Sequence, residues 1–316
     1  MADFDVMILG AGAVGCVVGG YLCKAGYRVQ LVNRNADTSV AVKTNGLKIE
    51  TENEILISHP DAVQPHQVAP ARFILCFTKT YQTSEAVLSV LPQLDKQSIF
   101  VTMQNGLGNG EMISQLTGHD VLQGVTLIPA SVLEPAHIRS HGAHKSWLGP
   151  VHPDSQLQIT AAQTLSHMLS TSGIQTEYHL DVSQPIWQKA CFNVAMNGVS
   201  ALADASPGLI GDTASLVSEV HFIADEAIQV GQALGVSVDQ QQIHDMITFA
   251  CAEHRYHQPS MLQDIRHQRK TEIASLNRYI VDKAQQIGID VPRCALIAAL
   301  IEARENAPEF WKAQAE

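Results

Sequence analysis

A glycine-rich hexapeptide near the N-terminus constrains the fold of this chain more than any other feature. Its sequence is Gly10-Ala11-Gly12-Ala13-Val14-Gly15, and it directly follows the apolar run Val6-Met7-Ile8-Leu9. In a strand–turn–helix context, the first glycine permits the tight turn, the second lets the backbone approach a pyrophosphate and the third lets helix and strand pack closely. The pattern therefore predicts a Rossmann-type dinucleotide-binding domain, with the whole hexapeptide at the cofactor.

The residues after the second predicted strand indicate which dinucleotide is bound. NAD-binding enzymes place Asp or Glu about 20 residues beyond the glycine motif, where it binds the ribose hydroxyls. This chain instead has Asn33-Arg34. Because arginine forms a charge-assisted fork on a 2′-phosphate, Arg34 predicts NADPH; the alternative is an ordinary exposed loop arginine. Lys79, which follows a buried strand at the carboxyl edge of the sheet, is a candidate second phosphate ligand.

The hydrophobic pattern divides the chain into two parts. Over residues 1–180, short β-branched runs alternate with helical stretches, which predicts a parallel α/β sheet with strands at 4–9, 28–32, 73–77 and 99–102. Further strands and turns are expected at 121–149, followed by a helix at 155–170 and a last strand at 174–180. Residues 181–316 have apolar residues at three- and four-residue spacing, which predicts a mostly helical second domain.

A polar stripe opens the predicted helical domain. Lys189, Asn193 and Asn197 are spaced i, i+4, i+8 in a segment otherwise rich in Trp, Cys, Phe, Val and Met, so they share one helix face. Burying a lysine and two amides without partners is costly, which favours a polar cleft at this face. The alternative is the solvated face of an amphipathic helix.

Three more residues are candidates for a substrate site. Asn105, in Gln104-Asn105-Gly106, follows a buried strand at the carboxyl edge of the sheet, although an Asn-Gly pair is also typical of a plain turn. Ser260 is positioned to cap a helix, with Gln263 completing a capping box, and a serine there can also bind a carboxylate. Glu272 is expected about three turns along the same helix, among basic residues typical of a surface ion pair.

Together these motifs resemble the 2-dehydropantoate 2-reductases, also called ketopantoate reductases, over almost the whole chain. The resemblance implies reduction of 2-dehydropantoate to pantoate with NADPH, in pantothenate and coenzyme A biosynthesis. It makes Lys189 the general acid and lets Glu272 bind the substrate hydroxyl or steady the lysine. Substrate-binding roles are implied for Asn105, Asn193, Asn197 and Ser260, and cofactor-binding roles for Lys79 and Gln82 in the Thr-Lys-x-x-Gln run and for Asn105. Asn197-Gly198-Val199-Ser200 departs from the proline-containing run of many members.

Composition excludes several other classes. The net charge of −11 argues against nucleic acid or an anionic membrane surface as partner. The six cysteines are scattered and no stretch is long enough to span a bilayer, so a cytoplasmic protein with reduced thiols is expected. The fourteen histidines include the pair His254-x-x-His257, but no His-Glu-x-x-His motif or Cys/His set occurs. They are interpreted as loop and surface residues, and no metal site is predicted.

Three alternative functions stay open or are disfavoured at this point. A β-hydroxyacid dehydrogenase is disfavoured, because the Lys189-x-x-x-Asn193 spacing is one residue too long and the Ser-Gly-Gly motif is missing. A family paralogue that reduces another branched 2-keto acid stays open. So does an NADPH sensor without catalysis, although Lys189 and Glu272 are both present. The sequence leaves a homodimer through the helical half open.

Overall fold

The computed structural model describes residues 2–141 and 144–313, with side chains described up to residue 307. Its contacts divide the chain into two compact units. The first comprises the residues up to Gln104 together with Asn109–Val182. The second comprises Asn105–Gly108 and the chain from Ser183 onward.

The first unit is built around an eight-stranded sheet with helices on it. The strand order is β12-β11-β8-β7-β6-β1-β2-β5, and all neighbouring pairs are parallel except β8 and β11. The strands of this sheet are β1 (Phe4–Leu9), β2 (Val29–Val32), β5 (Asp61–Val63), β6 (Ala71–Cys76), β7 (Ile99–Thr102), β8 (Val121–Leu127), β11 (Lys145–Pro150) and β12 (Gln175–Tyr178). The predicted Rossmann-type α/β fold is confirmed, with one antiparallel pairing in a sheet that we expected to be parallel.

A second, four-stranded sheet was not predicted. Its order is β4-β3-β10-β9, from β3 (Leu47–Glu50), β4 (Ile55–Ser58), β9 (Ala130–Glu134) and β10 (His137–Ser140). The inward side chains Leu47, Ile49, Leu56 and Ile138 are buried in the same core as helix α1. The helices of this unit are α1 (Ala13–Lys24), α2 (Ala36–Asn45), α3 (Thr83–Val90), α4 (Asn109–Thr117) and α5 (Gln156–Thr171).

The second unit is helical in its described part, and this confirms the prediction of a mostly helical C-terminal region. Its helices are α6 (Ser183–Ala203), α7 (Pro207–Asp212), α8 (Ala214–Ala233), α9 (Gln240–Glu253), α10 (Ser260–Arg266), α11 (Asn277–Ile287) and α12 (Pro292–Ala313). Helix α6 lies in the centre of the core, where Cys191, Val194 and Ala195 are fully buried. Among the described residues, no helix is long and apolar enough to cross a membrane.

The first turn of α12 is fixed by a side chain from another helix. Glu226, in the middle of α8 and 8% exposed, accepts the backbone N–H groups of Arg293 at 3.0 Å and Cys294 at 2.8 Å. Helix N-termini present N–H groups that have no partner within the helix, and an anionic acceptor stabilises them. The buried carboxylate therefore joins α8 to α12 and helps to hold the helical unit together.

Candidate active site

The glycine-rich loop has the geometry that its sequence pattern predicts. Gly10 has a φ of +101°, and a side chain there would place Cβ 2.6 Å from the backbone nitrogen of Thr78. A Cβ at Gly15 would lie 2.4 Å from the Gly10 carbonyl oxygen. A Cβ at Gly12 would meet no described atom within 4 Å, and no described side chain caps α1. The loop thus leaves open space and uncapped N–H groups at the start of a helix, which suits an anionic ligand.

Arg34 is positioned by its neighbours at the end of β2. The Asn33 amide donates to the Ala11 carbonyl oxygen at 3.3 Å, which ties this loop to the glycine loop. The Arg34 guanidinium forms an ion pair with Glu85 in the first turn of α3, with Nη1 3.0 Å from Oε2. Both side chains are more than half exposed. The arginine predicted to bind a 2′-phosphate therefore has a carboxylate beside it.

The loop after β6 carries the other predicted cofactor residues. Lys79 precedes a short 3-10 turn, Thr80–Gln82, and the backbone N–H of Gln82 donates to the Lys79 carbonyl oxygen at 2.8 Å. Gln104, at the end of β7, donates to the Thr78 carbonyl oxygen at 2.6 Å and to the Thr83 hydroxyl at 2.7 Å. This buried glutamine fixes the loop on the sheet, a role that the sequence did not reveal.

In the helical unit, the polar stripe of α6 faces a cavity of about 250 Å³. Lys189, Asn193 and Asn197 all line it, so the alternative of a solvated outer face is wrong. This volume suits a small ligand. The other lining residues are Asn105, Phe192, Met196, Pro207, Ala250, His254, His257, Pro259 and Ser260. The wall therefore combines polar side chains of α6, the two histidines and Ser260 with the apolar side chains of Phe192, Met196, Pro207, Ala250 and Pro259.

The charge state of Lys189 is set by burial and by Glu272. Burial lowers the pKa of the Lys189 amine from its ordinary value of 10.5 to about 8, and the negative charge of Glu272 opposes part of that fall. The Glu272 carboxylate is buried, with 7% of the residue exposed. It lines a narrow cleft shared with Asn105, Asn197 and Ser260. The amine is thus a much stronger acid than an exposed lysine and is still mostly protonated at neutral pH.

Two of our expectations about the segment from 260 to 272 are wrong. Ser260 is the first residue of α10 and its side chain makes no capping hydrogen bond; the Gln263 amide donates to the Gln258 carbonyl oxygen instead. The helix ends at Arg266, so Glu272 does not lie on it. Gln268, two residues beyond the end of the helix, has a φ of +53°, and Glu272 follows it as a buried residue. Glu272 is accordingly a buried residue and not part of a surface ion pair.

Asn105 is held against the helical unit by its own loop. The backbone N–H of Leu107 donates to the Ser275 carbonyl oxygen at 2.9 Å. Gly106 has a φ of +87°, and a Cβ there would lie 2.4 Å from the Ser275 hydroxyl. The absence of a side chain at Gly106 permits this close approach, which places Asn105 at both the cavity and the narrow cleft.

The structure also adds two residues that sequence reasoning missed. His254 and His257 are exposed turn residues, as their interpretation as loop and surface histidines predicted, and both also line the cavity. They lie in the turn between α9 and α10, where the only sequence signal was their i, i+3 spacing just before Ser260. Within the described ranges, no group of three or more His, Cys, Asp and Glu residues could hold a metal ion.

Comparison with known proteins agrees with this arrangement. The family model "Ketopantoate reductase PanE/ApbA" matches residues 6–153, and the model "Ketopantoate reductase PanE/ApbA C terminal" matches residues 181–305. The chain belongs to the ketopantoate reductase family. This membership makes it an oxidoreductase. A 2-dehydropantoate 2-reductase from Streptococcus pyogenes serotype M18 is 30% identical over 302 residues, which cover 95% of this chain and 97% of that protein.

A more distant relative is the 2-dehydropantoate 2-reductase of Halobacterium salinarum, which is 27% identical over 94% of this chain and 97% of its own. Solved structures of the ketopantoate reductase fold are also similar. A family member from Ralstonia eutropha JMP134 has a TM-score of 0.88 at 27% identity, covering 96% of this chain and 99% of that one. A D-mandelate dehydrogenase, solved with NADH and anilino(oxo)acetate, has a TM-score of 0.89 at 25% identity with the same coverage. Both similarities extend over nearly the full chain.

Proposed function

We propose that this chain reduces 2-dehydropantoate to pantoate with NADPH. The observation that carries the proposal is the cavity of the helical unit, where Lys189, with a pKa of about 8, lies among three asparagines and Ser260 and within the influence of the buried Glu272. A cationic acid in a small polar cavity suits the reduction of a ketone, in which negative charge develops on the oxygen. The curated relatives named for this activity support the choice of substrate.

The first unit is proposed to bind the cofactor. The pyrophosphate would be held by Gly10–Gly15, whose open Gly12 and uncapped helix start suit an anion. Arg34 would bind the 2′-phosphate, and Lys79, Gln82 and Asn105 would contribute further contacts. When bound, the nicotinamide cofactor supplies the hydride that adds to the ketone carbon.

The helical unit is proposed to bind the substrate and move the proton. Lys189 donates a proton from Nζ to the ketone oxygen as negative charge develops there, and the carboxylate of Glu272 keeps the amine protonated before the step. Asn193 and Asn197, one and two helical turns beyond Lys189, offer amide donors and acceptors to the substrate, together with Asn105 and Ser260. The product would supply pantothenate synthesis in the cytoplasm.

A second candidate is reduction of a bulkier 2-keto acid to a 2-hydroxy acid. The similarity to D-mandelate dehydrogenase favours it, as does the apolar part of the cavity wall, formed by Phe192, Met196, Pro207 and Ala250. That neighbour was solved with NADH, so this candidate also allows NADH as the cofactor. Both candidates use Lys189 in the same way and differ in the group attached to the ketone.

The test is a steady-state assay that follows oxidation of the reduced nicotinamide. We expect a higher kcat/KM for 2-dehydropantoate than for phenylglyoxylate, the 2-keto acid that corresponds to mandelate. We also expect a higher kcat/KM with NADPH than with NADH. Lys189→Ala should lower kcat by about 10²–10⁴, the range typical of a lost general acid. Lys96→Ala, an exposed lysine of the first unit, is the matched control and should have wild-type activity. Wild-type turnover by Lys189→Ala would disprove the role of the lysine, and a preference for phenylglyoxylate would favour the second candidate.

A further inference from the structure

The turn that carries His254 and His257 is held firmly beside the cavity. The backbone N–H of Gly208 in α7 donates to the Arg255 carbonyl oxygen at 3.0 Å, and a Cβ at Gly208 would lie 2.8 Å from the Arg255 Cβ. The Arg255 guanidinium also pairs with Asp212 at the end of α7. The His257 N–H donates to the His254 carbonyl oxygen at 2.9 Å, which closes the turn. Both imidazoles are thus presented to the cavity from a fixed backbone.

The two imidazole rings have hydrogen-bonding capacity that the described part of the protein does not use. Neither ring makes a hydrogen bond there, whereas His119, His144 and His244 each bond a carbonyl, a hydroxyl or a carboxylate. The ring of His254 packs edge-on against Phe249, with centroids 5.3 Å apart. Burial and the charge of His254 lower the pKa of His257. At neutral pH its ring is therefore uncharged, with one nitrogen that donates and one that accepts.

The two rings line the same cavity as Lys189 and lie outside the narrow cleft that contains Glu272. Glu272, Asn105, Asn197 and Ser260 line the narrow cleft, whereas His254 and His257 line only the cavity. Pro207, Ala250 and Pro259, which line the cavity and not the cleft, are apolar. A substrate group that reaches this region meets hydrocarbon and two imidazoles. Both residues are exposed. A hydroxyl that reaches this region can form hydrogen bonds with the ring nitrogens, whereas a methyl group in the same place cannot.

We propose that His254 and His257 are specificity-determining residues that bind a polar group carried beyond the α-carbon of the 2-keto acid. The inference rests on the proposed function and deepens it, because it assigns the recognition of the substrate side chain to this turn. In 2-dehydropantoate the polar group is the terminal hydroxyl. The contribution of this hydroxyl is measured by comparison with 3,3-dimethyl-2-oxobutanoate, which has the same branched skeleton without the hydroxyl.

The experiment compares these two substrates in the wild type and in His254→Leu, His257→Leu and the double variant. Loss of one hydrogen bond to an exposed ring is expected to lower kcat/KM about 2- to 13-fold, so the wild type should prefer the hydroxylated substrate by such a factor. The double variant should bring the ratio close to one, mainly by raising KM for 2-dehydropantoate. Turnover of the dimethyl substrate should persist, which shows that the variant is folded. His257→Asn, which retains a donor and an acceptor, should restore part of the ratio.

The control is His167→Leu, an exposed histidine on α5. An unchanged substrate ratio in the double variant would overturn the proposal. Calorimetric titration tests the same contact without turnover. The enzyme is first saturated with oxidised cofactor and is then titrated with pantoate or with 2-hydroxy-3,3-dimethylbutanoate. If the wild type reduces neither keto acid, the proposed function fails. The ratio of the two dissociation constants, measured in the wild type and the double variant, still decides whether the histidines bind the hydroxyl.

Discussion

The Lys189–Glu272 pair makes a quantitative prediction about pH. Lowering the pKa of Lys189 from 10.5 to about 8 corresponds to ~3 kcal/mol in favour of the neutral amine. The first cause is burial, and the charge of Glu272 limits the effect. Because the general acid acts in its protonated form, activity is full below this pKa and is lost as pH rises through it. The wild-type profile of kcat/KM should therefore fall above about pH 8.

Glu272→Gln keeps the shape of the side chain and removes its charge. An opposite charge within a few ångströms shifts a pKa by about 1–3 units, so its loss should move the alkaline limb down by about one unit or more. At pH 8 the protonated fraction of Lys189, and with it the activity, would then be about fivefold lower in the variant than in the wild type. Any loss of substrate binding through Glu272 lowers the whole curve without moving the limb. The position of the limb therefore reports the electrostatic coupling.

The assay is the pH dependence of kcat/KM with 2-dehydropantoate between about pH 6 and 10, with a solvent isotope effect on the limb. Glu111→Gln, an exposed carboxylate in the first turn of α4, is the matched control and should leave the limb in place. A limb that stays at its wild-type pH in Glu272→Gln, or moves upward, would refute the coupling between the two residues. A limb that is absent from the wild type would refute the role of the lysine as the acid.

Two further predictions concern the cofactor and the fold. Glu85→Gln removes the carboxylate beside Arg34. It should lower KM for NADPH about two- to fivefold, a small effect because an exposed ion pair is weak, and it should leave KM for NADH unchanged. Equal changes for both cofactors would contradict this expectation. Glu226→Ala leaves the N–H groups of Arg293 and Cys294 without their anionic acceptor, so the free energy of unfolding should fall by about 2–4 kcal/mol in urea titration. An unchanged midpoint would show that water replaces the carboxylate.

The predictable parts of the molecule are those encoded by short-range patterns. The glycine loop, the first strands and the stripe of α6 each depend on residues within a few positions of one another. The second sheet was missed although Leu47–Glu50 and Ile55–Ser58 alternate as strands do. In this sheet β3 pairs with β10, so that His137 lies opposite Lys48, which is far away in the sequence. A local sequence pattern does not predict such a distant pairing.

The position of Glu272 could not be predicted for a different physical reason. The pattern from Ser260 onward continues to favour a helix, and no glycine or proline marks its end. The chain nevertheless turns where Gln268 adopts a left-handed conformation, and the Arg269 N–H bonds the Asp264 carbonyl oxygen at 2.8 Å. A second contact, between the Arg269 guanidinium and the buried Asp264 carboxylate, stabilises this turn. Beyond the turn, the Thr271 N–H donates to the Glu305 carboxylate at 2.7 Å, so a tertiary contact also holds the segment before Glu272 outside a helix.

The same dependence on distant partners affects the choice of cofactor. An arginine after β2 favours a 2′-phosphate when its guanidinium is surrounded by neutral or basic groups, because attraction then has no competitor. Here the competitor is Glu85, 51 residues further along the chain and 3.0 Å away in space. A bound 2′-phosphate would be attracted by the positive charge of Arg34 and repelled by the negative charge of Glu85 beside it. We therefore expect a smaller preference for NADPH over NADH than the arginine alone would give, and the Glu85→Gln variant measures the difference directly.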